Sequence, residues 1–346
     1  MPRGRLLVTG ASGFIGSAVT RALLADGCSV TAFVEPHADT RNLDGLDVSV
    51  VTGDLRDPAA VRRAMSGCRS VFHVAALYRF WAPDPTVFYD VNVNGTRNVL
   101  GAARECGVER VVYTSTVGTL GLRDRRPSNE QDYPDVGHLF GSYKRSKYVA
   151  EHEVLRAAAQ GLPVVLVQPT MPMGPCDRAP TPSGRLVVEF LNGRMPGYVD
   201  TTLNVVHVDD VARGHVLAHD RGRVGRSYIL GAENLPLQQV LAVLASLTGL
   251  PEPRLHVPRA LSLAAAWLSD TIEGKMLRRD PTVPLEAARM STTQMAFDDS
   301  RARTELGYAP RPAVEALADA ARWYVDNGYV KAERSKRIQW RDDRGC

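Results

Sequence analysis

The first half of the chain alternates short apolar runs with longer segments of helical periodicity. The apolar runs at 29–34, 48–51, 70–74, 110–114 and 163–167 predict strands. Apolar residues at helical spacing predict helices near 58–66, 86–106 and 142–160. Strands that alternate with helices are typical of a parallel, doubly wound α/β sheet.

A glycine-rich turn follows the first apolar run, at 5–8. Glycines at 10, 13 and 16 let the backbone approach a pyrophosphate, whose charge is met by free N–H groups at the positive end of the next helix. This order of strand, turn and helix predicts a Rossmann-type dinucleotide-binding domain. The predicted contacts in the turn are Gly10, Ser12, Gly13, Phe14, Ile15 and Gly16.

Tyr143 and Lys147 are four residues apart in Gly141-Ser-Tyr-Lys-Arg-Ser-Lys147, on one face of a predicted helix. A cation beside a phenol favours the phenolate and brings proton transfer closer to neutral pH. The spacing alone is also common on solvated helices.

The amino-acid composition of the chain changes after Pro169. The stretch 171–183 is rich in proline, and we expect no regular structure there. The predicted domains are a dinucleotide-binding domain over 1–170 and a smaller carboxyl-terminal α/β substrate-binding region over 171–330. Within the latter, 204–230 is expected to return to the first domain, and 331–346 to form a basic tail.

The composition argues against several classes of function, namely nucleic-acid binding, zinc binding and a membrane-spanning role. The net charge of +4 arises from 42 basic and 38 acidic residues, which gives no reason to expect nucleic-acid binding. Five scattered cysteines without a Cys-x-x-Cys pair predict reduced thiols in a cytoplasm and no zinc or other metal site. We expect no signal peptide and no membrane span, because the apolar stretch 260–268 is short.

Polar residues lie where several predicted strands end, the edge at which such sheets bind ligands. The Asp54 carboxylate could accept from an adenine amino group, or equally cap a turn. His73 closes another strand beside the expected dinucleotide. Thr116 could polarise a substrate carbonyl, although by position alone a capping role is the stronger interpretation.

Taken together, these residues resemble the extended short-chain dehydrogenase/reductases. The motifs, in chain order, are Gly10-x-x-Gly13-x-x-Gly16, Gly53-Asp54-Leu55, His73-x-Ala75-Ala76, Asn92-Val-Asn-Gly95-Thr96, Thr114-Ser-Thr116, Tyr143-x-x-x-Lys147 and His207-Val-Asp-Asp210-Val-Ala212. The likeness is closest to the dihydroflavonol-reductase-like branch and its hopanoid-associated "sugar epimerase" group. The narrower likeness is carried by 78–85, 181–185 and 194–198.

The resemblance implies roles. Tyr143 would donate or accept the proton, and Lys147 would lower its pKa and hold the nicotinamide ribose. Thr116 would hydrogen-bond the substrate oxygen, and Asn92 would support the site through a water or a backbone contact. Further implied cofactor contacts are Asp54, Leu55, His73, Ala75, Ala76, Gln168, Pro169, Thr170 and Met171.

The choice of cofactor depends on two residues. Glu35 follows the second strand, where an acidic side chain can bind ribose hydroxyls and repel a 2′-phosphate. Arg41 is close enough in sequence to pair with that phosphate. The prediction is NAD, with NADP possible.

Three functions are compatible with these residues. Hydride transfer to or from a carbonyl or alcohol is favoured over a nucleotide-sugar epimerase or dehydratase activity. The reason is Leu203, which stands where such relatives often have an arginine that binds the substrate diphosphate. Arg178, Arg185 and Arg194 could replace that arginine and keep the alternative open. A non-catalytic dinucleotide-sensing regulator is the third. The predicted substrate contacts are Tyr78, Trp81, Thr116 and Tyr198.

The resemblance also implies a homodimer, in which two helices from each chain form the interface. Apolar residues at helical spacing predict the stripe that would be buried. They are Val99, Leu100 and Ala103 on one helix and Tyr148, Val149, His152 and Leu155 on the other.

Overall fold

The computed structural model describes residues 4–135, 137, 139–277, 279–282, 285–291 and 293–341. Its strands are β1 (Leu6–Thr9), β2 (Val30–Val34), β3 (Val48–Thr52), β4 (Ser70–His73), β5 (Arg110–Thr114), β6 (Val164–Pro169), β7 (Met171–Met173), β8 (Gly197–Tyr198), β9 (Thr202–His207), β10 (Ser227–Leu230), β11 (Glu233–Pro236) and β12 (Leu255–His256). The strands predicted in the first half of the chain are confirmed to within two residues at each end.

The α-helices of the described residues are α1 (Phe14–Ala25), α2 (Pro58–Met65), α3 (Thr86–Tyr89), α4 (Gly95–Glu105), α5 (Ser142–Ala159), α6 (Pro182–Leu191), α7 (Val208–Arg221), α8 (Leu237–Thr248), α9 (Arg259–Ser269), α10 (Leu285–Ser291), α11 (Ala313–Asp326) and α12 (Ala332–Ser335). The helix predicted near 86–106 is divided, because a π-helical segment, Asp90–Asn94, joins α3 to α4.

The central sheet has seven parallel strands in the order β10-β6-β5-β4-β1-β2-β3. Successive side chains of a strand point to opposite faces. On β1, Leu6 and Val8 therefore enter the apolar core under α1 and α7, and Leu7 enters the core under α2, α4 and α5. The predicted doubly wound, Rossmann-type α/β fold is confirmed.

The rest of the chain forms a smaller α/β layer beside the carboxyl edge of the sheet. Here β11, β9 and β7 make a second sheet, and α6, α8 and α11 pack into one apolar core with it. Between these elements, α7 and β10 run back to the main sheet, where β10 pairs with β6. The expectation of no regular structure over 171–183 was wrong: β7 pairs with β9 there, and Pro182 begins α6 with Thr181 as its cap.

Two further expectations concern the surface. Among the described residues, no helix has both the length and the apolar composition that a bilayer crossing needs. The tail predicted over 331–346 begins with α12, and its residues 342–346 lie outside the described part of the chain.

Candidate active site

The glycine turn between β1 and α1 is close-packed. Gly10 has φ +65°, and a Cβ atom there would lie 2.8 Å from the Ala75 Cα. A Cβ at Gly16 would overlap the Gly10 carbonyl oxygen. Gly13 caps α1 without a side-chain acceptor for the first N–H groups of the helix. These N–H groups face the turn with a partial positive charge, so the residues fit the phosphates of a dinucleotide.

A cavity of about 360 Å³ lies at the carboxyl edge of the central sheet and begins at this turn. It brings together most of the residues proposed from the sequence. They are Gly10, Ser12, Gly13, Phe14, Ile15, Gly16, Glu35, Asp54, Leu55, Ala75, Ala76, Tyr78, Thr116, Tyr143, Lys147, Pro169 and Thr170.

The cavity also includes residues that the sequence reasoning missed. Val74, Leu77 and Ser115 adjoin residues that were proposed, so the neighbouring motifs held a signal for them. Pro172 adjoins Met171, and Thr181 begins one of the segments that carry the narrower likeness, so these two also had a signal. Ala38 had none, because only the fold brings its loop to this edge. Gly53 and Thr114 stand in the motifs but had no role assigned, and the remaining ones are Phe33 and Val91.

Several proposed cofactor residues do not line this cavity. The His73 ring is buried between the hydroxyls of Thr9 and Thr96, at 2.8 Å and 3.1 Å. Burial lowers the pKa of His73 to about 3 and keeps the ring neutral. His73 therefore joins β1 and β4 to α4 and makes no contact with the cavity.

Arg41, Gln168 and Met171 are outside the cavity lining as well. The Arg41 guanidinium donates to both carboxylate oxygens of Asp39. The Gln168 side chain is buried and donates to Glu151 at 3.3 Å. Asp54 is in the lining, but its carboxylate accepts from Arg56.

Of the proposed substrate contacts, two lie away from the dinucleotide cavity. The Trp81 indole packs beside Gly274, in the segment after α9. Tyr198 lies in β8, where its ring contacts His256. The Tyr78 ring, by contrast, is 4.8 Å from that of Tyr143, measured between centroids.

The predicted catalytic side chains reach the cavity from two elements. Thr116 follows β5, and Tyr143 and Lys147 lie one turn apart in α5. Burial raises the pKa of Tyr143 well above its usual value, and a hydrogen bond with the Thr116 side chain acts in the opposite direction. The pKa of Tyr143 is thus raised and not lowered as expected, because removal from water is the largest effect on it.

Lys147 is buried and holds other partners. Its Nζ donates to the Thr114 carbonyl at 2.7 Å and to the Tyr113 hydroxyl at 3.0 Å. Burial lowers the pKa of Lys147 to about 7, against the opposing charge of Glu151. The ammonium is therefore fixed in place at the wall of the cavity.

Asn92 supports the cavity from the π-helical segment before α4. Its amide oxygen accepts from the Leu77 N–H at 2.8 Å, and its amide nitrogen donates to the Leu77 carbonyl and the Ser146 hydroxyl. Leu77 lines the cavity, and Ser146 lies in α5 next to Lys147. Asn92 thus ties the loop after β4 to the helix that carries Tyr143.

Within the described ranges, no group of three or more side chains has the composition of a metal site. Among the cysteines, Cys68, Cys106 and Cys176 are free thiols. Cys346 lies outside the described residues.

Comparisons with known proteins agree with this geometry. Residues 6–231 match the model of the "NAD dependent epimerase/dehydratase family". A Synechocystis sp. protein named as a dihydroflavonol 4-reductase is 44% identical over 331 residues, which cover 94% of this chain and 96% of that protein. The sterol demethylase protein B of Methylococcus capsulatus is 38% identical over 94% of this chain and 99% of its own length.

A solved structure, that of gox2253, superimposes with a TM-score of 0.84 at 42% identity, and covers 94% of this chain and 99% of its own. Matches of this extent and identity show common ancestry over both layers of the fold. The chain therefore belongs to the NAD-dependent epimerase/dehydratase family, the extended short-chain dehydrogenase/reductases, and is an NAD(P)-dependent enzyme of the dihydroflavonol-reductase-like branch.

Proposed function

We propose that this enzyme transfers a hydride between nicotinamide and a carbonyl or alcohol carbon of an uncharged small or lipid-linked substrate. One observation carries the proposal: Thr116, Tyr143 and Lys147 share a cavity with the glycine turn. When bound, the nicotinamide supplies or accepts the hydride.

The protein's part is to handle the substrate oxygen. Burial keeps Tyr143 protonated, so its Oη is a proton donor to a carbonyl oxygen that gains charge. The Thr116 hydroxyl is a second donor for the same oxygen, an arrangement that stabilises an oxyanion. The Lys147 ammonium, held by Thr114 and Tyr113, stabilises the phenolate that remains on Tyr143.

The charge distribution supports an uncharged substrate. Leu203 is buried in β9 at the place of the diphosphate-binding arginine. The arginines that would replace it have other partners: Arg178 donates to Asn42, Arg185 lies 3.9 Å from Asp280, and Arg194 lies 3.1 Å from Glu189. The names of the two relatives refer to a dihydroflavonol and a sterol, both uncharged ring systems, which supports the same substrate class.

An epimerase or dehydratase on the same fold is the second candidate. The description of the matching family favours it, since that description includes both activities. The non-catalytic regulator is disfavoured, because it would not need Tyr143 and Lys147 in the cavity. The narrower likeness to the hopanoid-associated group stays a prediction.

We further propose NAD as the preferred cofactor and a homodimer as the assembly. Glu35 lines the cavity, whereas Arg41 is held by Asp39, so the acidic side chain is the better placed of the two. The outer faces of α4 and α5 lie side by side, with Arg97 paired to Glu153 across them at 2.7 Å.

The test is turnover of a panel of ketones, aldehydes, sugar nucleotides and polyol-bearing lipids with NADH and NADPH, and of the alcohols with the oxidised cofactors. Tyr143→Phe should cut turnover roughly a hundredfold or more and leave cofactor affinity near that of wild type, as loss of a general acid does. Tyr148→Phe, on the same helix outside the cavity, is the matched control. Turnover retained by Tyr143→Phe would refute the assignment.

A further inference from the structure

A second cavity, of about 560 Å³, lies next to the first. The two meet at a wall made by the segment after β5 and the first turn of α5. Thr116 lines the first cavity and Val117 the second, and on α5 the same holds for Tyr143 and Lys144. A group bound in the second cavity would therefore lie one residue from the catalytic hydroxyls on both elements.

Glu286, at the start of α10, points into this second cavity. It is 7% exposed, and neither of its carboxyl oxygens has a hydrogen-bond partner among the described residues. A buried polar group without a partner is destabilising, because it has lost its hydrogen bonds to water. Such groups are rare in native structures and need an explanation.

The neighbouring backbone accommodates this carboxyl group. Gly141 has φ +82°, and a Cβ atom at Gly141 would overlap the carboxyl group of Glu286. The residue two places before Tyr143 is therefore small where Glu286 approaches. Glu286 also acts electrostatically on Tyr143, so the two groups are close enough to sense each other.

The remaining walls indicate what this cavity accepts. They are largely apolar, with Leu120, Leu139, Phe140, Met295 and Phe297 among them. Lys144 is the cation whose charge acts on Glu286, and Arg289 lies over the Phe140 ring at 4.4 Å. A cationic ligand would be repelled by these two side chains and an anionic one by Glu286. An uncharged ligand with an apolar body and a hydrogen-bond donor avoids repulsion by the two cations and by the carboxylate.

We propose that the second cavity holds the body of the substrate and that Glu286 accepts a hydrogen bond from a hydroxyl group of that substrate. The inference rests on the proposed function, since it places the reacting carbonyl beside Thr116 and Tyr143. Glu286 then selects hydroxylated ketones over equally shaped ketones without the hydroxyl group. Burial, which raises the pKa of Glu286 to about 7, agrees with a carboxyl group that faces a neutral ligand.

The experiment compares matched bicyclic ketones, α-tetralone and its ring-hydroxylated isomers, with the enzyme saturated in NAD. Equilibrium dissociation constants are measured by calorimetry for wild type, Glu286→Leu and Glu286→Gln. Wild type should bind at least one hydroxylated isomer tenfold or more tightly than α-tetralone. Glu286→Leu should lose that preference while its affinity for α-tetralone changes less than threefold, and Glu286→Gln should keep part of it.

The control is Glu189→Gln, on α6, where the side chain is paired with Arg194 and lines neither cavity. Three results would overturn the inference: no preference in wild type, an unchanged preference in Glu286→Leu, or an equal loss for both ketones. Because the readout is binding, it separates the two proposals. A Glu286-dependent preference without any turnover would refute the hydride-transfer function and leave the hydroxyl site standing.

Discussion

Lys147 carries its ammonium in a place from which water is excluded. The pKa of this group, about 7 in the folded chain, lies far below the value of ~10.4 in an unfolded one. Between these two values the unfolded chain binds a proton that the folded chain does not. Stability therefore rises with pH across this window, and the burial of Lys147 is most unfavourable below pH 7.

We predict that the free energy of unfolding of wild type, relative to Lys147→Met, increases by about 2 kcal/mol between pH 7 and pH 9. Urea unfolding of the protein without dinucleotide measures it. The exposed Lys331→Met should follow wild type at both pH values. Parallel curves for wild type and Lys147→Met would show that the buried amine is not the group that titrates.

Cofactor selection is also decided by single residues. Glu35→Arg should reverse a preference for NADH over NADPH by roughly tenfold or more, because a charge-assisted phosphate contact replaces a repulsion. The preference should weaken in salt, since Glu35 is exposed. Asp39→Asn releases Arg41 and should raise NADPH affinity by a smaller factor. Fluorescence titration with both cofactors measures each value, and a wild-type preference for NADPH would contradict the prediction.

The predicted residues that the fold brings into one cavity include those with a steric or spacing rule behind them. Gly10 and Gly16 are required because a Cβ would collide at either position. Thr116 and Tyr143 were proposed for one site, and the fold places them in one cavity. Glu286 could not be found in this way, since it lies more than 140 positions from Tyr143 and belongs to no motif.

At the level of elements, α5 does more than carry the catalytic pair. Glu151 lies one turn beyond Lys147 on the same helix. Its carboxylate accepts from the Thr119 hydroxyl at 2.9 Å and from Ser115. The Thr116 carbonyl, 2.8 Å from the same Thr119 hydroxyl, is the alternative acceptor of its one proton. The helix therefore fixes both catalytic hydroxyls relative to each other.

The π-helical segment before α4 gives the next prediction. Asn92→Ala leaves the Leu77 backbone groups without their partner, so we expect a loss of about 1–2 kcal/mol in the free energy of unfolding. We also expect kcat to fall roughly tenfold, because the loop with Tyr78 is no longer held against α5.

Asn94→Ala is the control, since Asn94 lies in the same segment on the surface. Chemical unfolding and steady-state kinetics of both variants provide the measurement. Equal effects at the two positions would show that Asn92 only stabilises the segment.

The periodicity of apolar residues located the helices, but it did not show where a helix is interrupted. Because a π-helical turn keeps the apolar residues near helical spacing, the break within 86–106 left no trace in the sequence pattern. The strand β7 was missed for a related reason: three residues, of which Pro172 is the middle one, are too few for a period. It pairs with β9, thirty-four residues further along the chain, and reasoning from local sequence does not detect such a partner.

At the scale of the whole molecule, the packing of α4 against the sheet contradicts the expected dimer interface on that helix. Val99, Leu100 and Ala103 are buried in the chain's own core under the sheet and cannot meet a partner. The stripe was assigned to the wrong side of α4, because an amphipathic pattern gives a buried face without saying what covers it. The face of α4 that remains exposed includes Arg97, Gly101 and Arg104.

Gly101 makes the assembly testable. A Cβ atom at this position has no neighbour within 4 Å in the chain, so larger side chains fit the single chain. Gly101→Ala should stabilise it by roughly 0.5–1 kcal/mol, as in any exposed helix, and leave the dimer intact. Gly101→Arg should also fold but separate the chains, since a third arginine between Arg97 and Arg104 would face its own copy across the interface.

Light scattering at micromolar concentration should give twice the mass of one chain for wild type and the mass of one chain for Gly101→Arg. A monomeric wild type would contradict the dimer, and a dimeric Gly101→Arg would move its interface away from α4.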